Sequence, residues 1–343
     1  VQEFLNDMAT TLLLQPSVDH ADPARLRRLV EEGLAALVQD TPEVLRNLCG
    51  EALGVTDLEG NPARSGGKRL RPMLCLLSCG AQGGTVEDAL HAALALECVH
   101  AFSLVHDDIV DGDRERRGRP SLWAAAGMSL ALNAGDALHA LACATAVRAG
   151  AWTAALVHGA TMSMIEGQHL DLCAEGALAP TVADWERLAL RKTGALFAAA
   201  AAAGAASAGA DDEIVERYWA LGEALGLAFQ ARDDVLGVWG DPRVTGKPAG
   251  SDLARRKASL PVACALEAGG AEAETLRRDL ADPGSSVELL LSRLDDCEAR
   301  ERVALAETGY MERLRLSREA AVPRDARGSA LSELIDGLAG RQA

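Results

Sequence analysis

The chain has 343 residues, 49% of them apolar and only 3% aromatic, and its 34 Lys and Arg against 50 Asp and Glu leave a net charge of −16. That length and apolar content suffice for a sizeable core and exclude disorder, and the excess of acid excludes nucleic acid as a partner, because such binding rests on neutralising phosphates with cations. An anionic small substrate is repelled too unless basic groups or metal ions are gathered locally.

Filling by Ala and Leu with few aromatics favours closely packed helices, and one domain is expected over 1–343, with 1–20 as a flexible N-terminal segment. Leu26, Leu29, Val30, Leu34 and Leu37 follow helical spacing behind an Asp22-Pro23 start, and Thr41-Pro42-Glu43 opens the next helix in the same way. Residues 54–67 read as a loop. Thr85 begins a helix that runs to Asp111, about 40 Å at 1.5 Å per residue, and GDRERRGRP at 112–120 breaks it. Further helices are expected over 129–149, 151–174, 181–209, 212–239, 252–268 and the C-terminal third, and no alternating strand pattern is visible. Residues 193–210 are uncharged, but they are Ala and Gly, too weakly apolar for stable membrane insertion; a tightly packed interior helix is expected. VQEFLNDMAT has no basic leader, and eight scattered cysteines without zinc spacing read as buried free thiols, so a cytoplasmic location is expected.

Basic residues are distributed unevenly in kind: thirty are Arg and four are Lys, namely Lys68, Lys192, Lys247 and Lys257. All four lie in glycine-rich or basic segments, where a compact ammonium suits point contact with phosphate. In DDIVD, Asp107 and Asp111 share a helix face with Asp108 beside them. Carboxylates crowded at a helix C-terminus repel one another and oppose the helix dipole, so they call for a cation. Oxygen ligands without His or Cys point to Mg²⁺ bridging carboxylate to phosphate. Glu97, His100 and Ser103 extend that face as a polar stripe expected to line a substrate cavity. A second cluster, DDVLGVWGD, places Asp233 and Asp234 on a helix with Gln230 one turn earlier; position 237 is glycine, which leaves Asp241 an outer role at most. GGKRLRP offers Lys68, Arg69 and Arg71 at a helix start as an anion site.

The ordered set GGKRLRP, ECVHAFSLVHDDIVDGDRERRGRP, MIEGQHLDL, RKTGALF and FQARDDVLGVWGDPRVTGKPAGSDL resembles the trans-type isoprenyl diphosphate synthases over roughly residues 60–265. The resemblance implies an all-α fold around a central cavity, the isoprenoid synthase fold, as a homodimer with the aspartate clusters facing each other across the cavity mouth. It implies three Mg²⁺ ions held on an allylic diphosphate by Asp107, Asp108, Asp111, Asp233 and Asp234, with Arg116, Lys192, Lys247 and Lys257 on the same diphosphate. Lys68, Arg71, His100 and Arg117 would take isopentenyl diphosphate, and Thr193 and Gln230 would sit near the cationic carbons. In such synthases the residues four and five before the first aspartate close the cavity floor. Here they are Ser103 and Phe102, a pattern resembling geranylgeranyl diphosphate synthases, with farnesyl diphosphate the next product, although an ideal helical wheel puts Phe102 well off the aspartate face. A class I terpene cyclase would carry an Asn/Asp-Ser/Thr-Glu motif in place of the second aspartate pair, and a non-catalytic subunit would lose the first.

Overall fold

The computed structural model describes residues 22–63, 67–116, 118–174, 180–245 and 249–340; the expected flexible segment 1–20, Arg117 and Lys247 lie outside these. The chain forms two compact units, one of Val1–Gly159, Ala199–Trp219 and Ala321–Leu334, the other of Ala160–Ala198, Ala220–Ala320 and Ile335–Ala343.

In the first unit, α1 (Pro23–Asp40) starts where Asp22 accepts the Arg25 N–H at 3.0 Å, and α2 (Glu43–Leu53) ends on Gly54 at φ 65°. After α3 (Leu70–Ala81), Thr85 and Asp88 form a reciprocal capping box that opens α4 (Val86–Val110), with Asp111 as its C-cap. The long helix expected from Thr85 to Asp111 is therefore present, and it packs along α3 and α6 (Met128–Arg148). Between α4 and the short α5 (Leu122–Ala126) lies a minimal antiparallel ribbon, β1 (Glu115–Arg116) with β2 (Arg119–Pro120). Sequence spacing does not anticipate it, because two-residue strands carry no alternation to read.

The next helix, α7 (Ala151–Ala174), carries the chain into the second unit. The helix expected over 181–209 is an α8 (Val182–Ala189), a π turn (Leu190–Gly194) and an α9 (Ala195–Ser207). Ala198 to Ala203 of α9 are fully buried, which bears out an interior helix. The second aspartate cluster, Asp233 and Asp234, rides on α10 (Asp212–Trp239), followed by α11 (Pro242–Thr245) and α12 (Ser251–Ala254). The helix expected over 252–268 is broken: Arg256 takes φ 55°, and α13 (Leu260–Glu267) starts afresh behind Ser259 with Pro261 in its first turn. The remaining helices are α14 (Gly270–Ala281), α15 (Val287–Asp296), α16 (Ala299–Ala321) and α17 (Ala326–Ala339). Among the described residues, two helices, α4 and α6, are long and apolar enough to cross a membrane, but 72% of the apolar window of α4 is buried inside the protein.

One buried cation ties the first unit together. Arg69, at φ 52° and 4% exposed, donates Nε and Nη2 to Glu31 of α1 at 2.8 and 2.9 Å. It also donates Nη1 to Glu97 of α4 at 2.7 Å and Nη2 to the Leu53 carbonyl that ends α2 at 2.7 Å. Two expectations are corrected here: Arg69 is turned inward and is no part of an anion site, and Glu97 is consumed by it instead of lining a cavity. Removing one partner of a buried charged group leaves the others unpaired. Arg69→Ala is expected to lower unfolding free energy by about 3 kcal/mol in urea denaturation, with Arg69→Lys recovering only part, because one ammonium cannot reach three elements.

Candidate active site

In the first unit the carboxylates stand at the end of α4. Asp107 and Asp111 are half-buried, whereas Asp108 is 4% exposed. The loop beyond is pinned back: the Asp113 N–H donates to the Asp108 carbonyl at 2.9 Å, and the Asp113 carbonyl accepts from Ser121 Oγ at 2.6 Å and Trp123 Nε1 at 2.8 Å. Arg114 lies over the Trp123 ring at 5.2 Å. This fold-back delivers Arg116 from the ribbon onto Asp108, with Nε 2.9 Å from both carboxylate oxygens and Nη2 2.6 Å from Oδ1. Burial alone would lower the Arg116 guanidinium; hydrogen bonds and charge from Asp108, with Asp107 and Asp113 behind it, more than offset that and raise it.

The expected stripe above these aspartates is only partly realised. Ser103 Oγ donates to the His100 carbonyl at 2.9 Å, within its own helix, and His100 is half-buried. Phe102 is buried, its ring edge-on to His106 at 4.8 Å and tilted against His139 of α6 at 5.3 Å. It thus faces α6. At the start of α3, Lys68 is exposed and Arg71 half-buried.

In the second unit a π turn carries Lys192 and Thr193. Its backbone presses on α7: a Cβ on Gly167 would lie 2.3 Å from Lys192 N, so only glycine permits the approach. Such turns insert one extra residue and re-aim the side chains beside it. Lys192 Nζ is 2.6 Å from Asp171 of α7, both about one-fifth exposed. Thr193 Oγ1 donates to Gln230 Oε1 at 2.7 Å, and Gln230 Nε2 donates to Asp234 Oδ1 at 2.8 Å. Asp234 Oδ2 accepts from Trp185 Nε1 at 2.7 Å and from the Leu260 N–H at 2.8 Å.

The two members of the second pair therefore differ. Asp233 is exposed, whereas Asp234 is 7% exposed and carries three N–H donors. Burial, then the charge of Asp252, pushes the Asp234 carboxyl up to about 7 against the lowering by its hydrogen bonds. Asp252 itself fills the space opened by Gly237: a Cβ at 237 would lie 2.1 Å from its Oδ2. The segment bearing it is latched to α10 by Gly250 N–H to the Val238 carbonyl (3.0 Å) and Ser251 Oγ to the Gly237 carbonyl (3.3 Å). Lys257 is half-buried just beyond, and Asp241 is paired with Arg243, whose Nε lies 2.9 Å from Oδ2.

Asp108 and Asp234, both expected among the metal ligands, are turned inward, one onto a guanidinium and the other onto three N–H groups. Arg116, expected on the diphosphate, is bound to Asp108 through Nε and Nη2. Three residues escape a reading by motif: Trp185, Asp171 and Asp252. Asp171 and Asp252 stand inside conspicuous segments, GQHLDL and AGSDL, but Trp185 carries no signal.

Among the described residues, no three His, Cys, Asp or Glu side chains converge as a group able to hold a metal by themselves. Mg²⁺ takes one or two carboxylates and completes its octahedron with water and phosphate oxygens. Asp107 and Asp111 in the first unit, and separately Asp233 in the second, offer oxygen donors near the surface of the kind that ion takes.

A sequence profile of the family described as polyprenyl synthetase matches residues 60–292. Geranylgeranyl diphosphate synthase of Mycobacterium tuberculosis is 42% identical over 242 residues, covering 67% of this chain and 67% of that protein. The (2E,6E)-farnesyl diphosphate synthase of Mycobacterium bovis is 38% identical over 275 residues, 77% of this chain and 76% of that protein. The crystal structure of polyprenyl synthetase from Streptomyces coelicolor A3(2) has a TM-score of 0.84 at 36% identity, covering 92% of this chain and 98% of that one.

The environments of the aspartates predict unequal effects on turnover. Asp107→Ala and Asp233→Ala are each expected to lower kcat by about a hundredfold or more, in the range of removing a principal charge-stabilising group. Asp241→Ala, whose partner is an exposed arginine, should stay within about threefold. Steady-state rates of the three variants at saturating Mg²⁺ check this order.

Proposed function

The chain belongs to the polyprenyl synthetase family and is an isoprenyl diphosphate synthase, and we propose that it condenses isopentenyl diphosphate with an allylic diphosphate to give the twenty-carbon geranylgeranyl diphosphate. One observation supports the reading at the level of the site: beside the buried Asp108 and Asp234, which are bonded within the protein, the half-buried Asp107 and Asp111 and the exposed Asp233 are the carboxylates that reach water, where a hydrated ion could meet them.

In this reading Asp107, Asp111 and Asp233 bind Mg²⁺, three ions in all, together with the allylic diphosphate, and Lys192, Lys247 and Lys257 bind the same group. When bound, the metal neutralises the charge that builds on the departing diphosphate. Lys68, Arg71, His100 and Arg117 take isopentenyl diphosphate. Arg116 locks Asp108, so that Asp107 and Asp111 keep their direction, and it offers its remaining nitrogen, Nη1, to substrate. Lys192, bridged to Asp171, is held in place before substrate arrives, which reduces the entropy lost on binding.

Ionisation of the allylic C–O bond leaves a carbocation, which the isopentenyl double bond attacks; a proton then leaves, accepted by the diphosphate. The Thr193 and Gln230 oxygens stabilise the cation, and apolar walls exclude the water that would quench it. Relatives making twenty-carbon and fifteen-carbon products both resemble this chain, so product length rests on the floor. Phe102 and Ser103, at the positions that close the floor in the synthases this chain resembles, and the identity to a geranylgeranyl diphosphate synthase support the twenty-carbon assignment.

A homodimer is supported by Met128, Leu130, Leu132 and Val147 of α6 and by Trp152, all between 42% and 64% exposed. Buried free thiols at Cys49, Cys75, Cys79, Cys98, Cys264 and Cys297 support a reducing, cytoplasmic setting.

Incubation of the purified chain with Mg²⁺, isopentenyl diphosphate and each allylic primer in turn tests the whole reading. The expected product is linear and twenty carbons long, from protein sedimenting at twice the chain mass, and Phe102→Ala should lengthen it. A fifteen-carbon product would refute the chain-length assignment, a cyclised hydrocarbon would indicate a cyclase, and no turnover would indicate a non-catalytic subunit.

A further inference from the structure

Lys257 stands at a reversal of the chain. Behind α12 the Arg256 N–H donates to the Leu253 carbonyl and the Lys257 N–H to the Asp252 carbonyl, both at 3.0 Å, while Arg256 takes φ 55°. Two such bonds closing a helix about one left-handed residue ordinarily call for glycine, because a Cβ there crowds the backbone. Arginine holds the position here, and its side chain is fully engaged. Nη1 donates to the Leu253 carbonyl at 2.8 Å, and Nη2 donates to the Asp282 and Ser285 carbonyls at 3.1 and 2.9 Å. The latter two belong to the turn before α15, which is itself closed. There the Ser285 N–H donates to the Asp282 carbonyl at 3.1 Å and the Gly284 N–H to Asp282 Oδ1 at 2.9 Å. Beyond Lys257 the Leu260 N–H is bonded to Asp234 at 2.8 Å, so Lys257, Ala258 and Ser259 run between two fixed points.

We propose that Arg256 is a positioning residue for diphosphate binding: its guanidinium, clamped on three carbonyl oxygens, fixes the chain reversal and so aims the Lys257 ammonium before substrate arrives. The inference rests on the functional reading above, in which Lys257 binds the allylic diphosphate. Glycine would make the same turn without strain, but the reversal would then be free to swing and binding would have to order it. A planar fork suits several fixed carbonyls and an ammonium suits point contact with phosphate, so the two neighbouring cations have separate tasks. The first unit holds a second instance. Among the described residues only Arg69, Arg256 and Glu298 are left-handed without being glycine, and both arginines adjoin one of the four lysines. Arg69 follows Lys68 and is likewise anchored, on Glu31, Glu97 and the Leu53 carbonyl.

A double-mutant cycle tests this. Arg256→Gly keeps the left-handed turn and removes the clamp. The kcat/KM for the allylic diphosphate should fall about tenfold, while KM for isopentenyl diphosphate stays within about twofold. In a Lys257→Ala background, which has no ammonium to aim, the same substitution should change the allylic kcat/KM by less than about twofold. Equal losses in both backgrounds, or an unchanged kcat/KM in Arg256→Gly, would overturn the proposal. Arg256→Asn separates the clamp from the looseness of glycine, since asparagine also tolerates the left-handed region. It should show the same loss, and full retention of kcat/KM would overturn the proposal too. Assays well below the Tm of each variant keep loss of folded protein out of the comparison. A wild-type chain without turnover, or Lys257→Ala with wild-type kcat/KM, would defeat the functional reading and this inference together. A failed cycle in an active chain that needs Lys257 defeats the inference alone.

Discussion

Carboxylates placed side by side at the end of a helix repel each other, and a bare C-terminus makes matters worse. The structure meets that constraint locally, and most of what surrounds the aspartates follows from how it does so. At the end of α4, Asp108 is neutralised by a guanidinium that a two-residue ribbon brings back over it. On α10, Asp234 is withdrawn from water and given three N–H donors, one of them the first amide of α13. The guanidinium offsets the charge of Asp108, and the three N–H groups stabilise that of Asp234, so that one acid of each cluster is satisfied within the protein.

The supporting framework is built to the same end. Arg69 joins α1, α2 and α4 through a single planar fork, which fixes the helix whose far end carries Asp107 and Asp111. A π turn and the missing side chain at Gly167 let Lys192 and Thr193 lie against α7 at backbone distance. Gly237 does for Asp252 what Gly167 does for the π turn. The acid absent from position 237 leaves room for one that arrives from fifteen residues later in the chain, and its charge raises the Asp234 carboxyl. Loss of an acid from the motif is thus not loss of an acid from the place.

Helical spacing made the framework legible, because caps such as Thr85 and runs such as 86–110 are local signals with a local cause. The aspartates and the four lysines were legible for a different reason: carboxylates crowded at a helix end repel one another, and four lysines stand out against thirty arginines. What a motif could not show is direction. Asp107 and Asp108 read alike in DDIVD, as do Asp233 and Asp234 in DDVLG, and only long-range partners (Arg116 across the loop, Trp185 from 49 positions away) distinguish them. Glu97 misled because its partner Arg69 stands in a segment that reads as an anion site, and its inward turn needs a left-handed φ that no sequence pattern announces. The break before α13 was hidden by apolar spacing that continues across it, although Ser259 and Pro261 mark a fresh start.

The division of each cluster into a metal-facing and a protein-facing acid is most directly tested by thermal unfolding of Asp233→Ala and Asp234→Ala, each with and without Mg²⁺ and inorganic pyrophosphate. Ligands that bind only the folded chain raise Tm by mass action, whereas three buried N–H groups deprived of their acceptor lower it from the start. Asp233→Ala should unfold within about 2 °C of wild type but lose the rise that Mg²⁺ and pyrophosphate produce together; Asp234→Ala should unfold several degrees lower, about 4 °C or more, even without them. The opposite pattern, an Asp234→Ala chain as stable as wild type beside an Asp233→Ala chain that still responds fully to the ligands, would contradict the account.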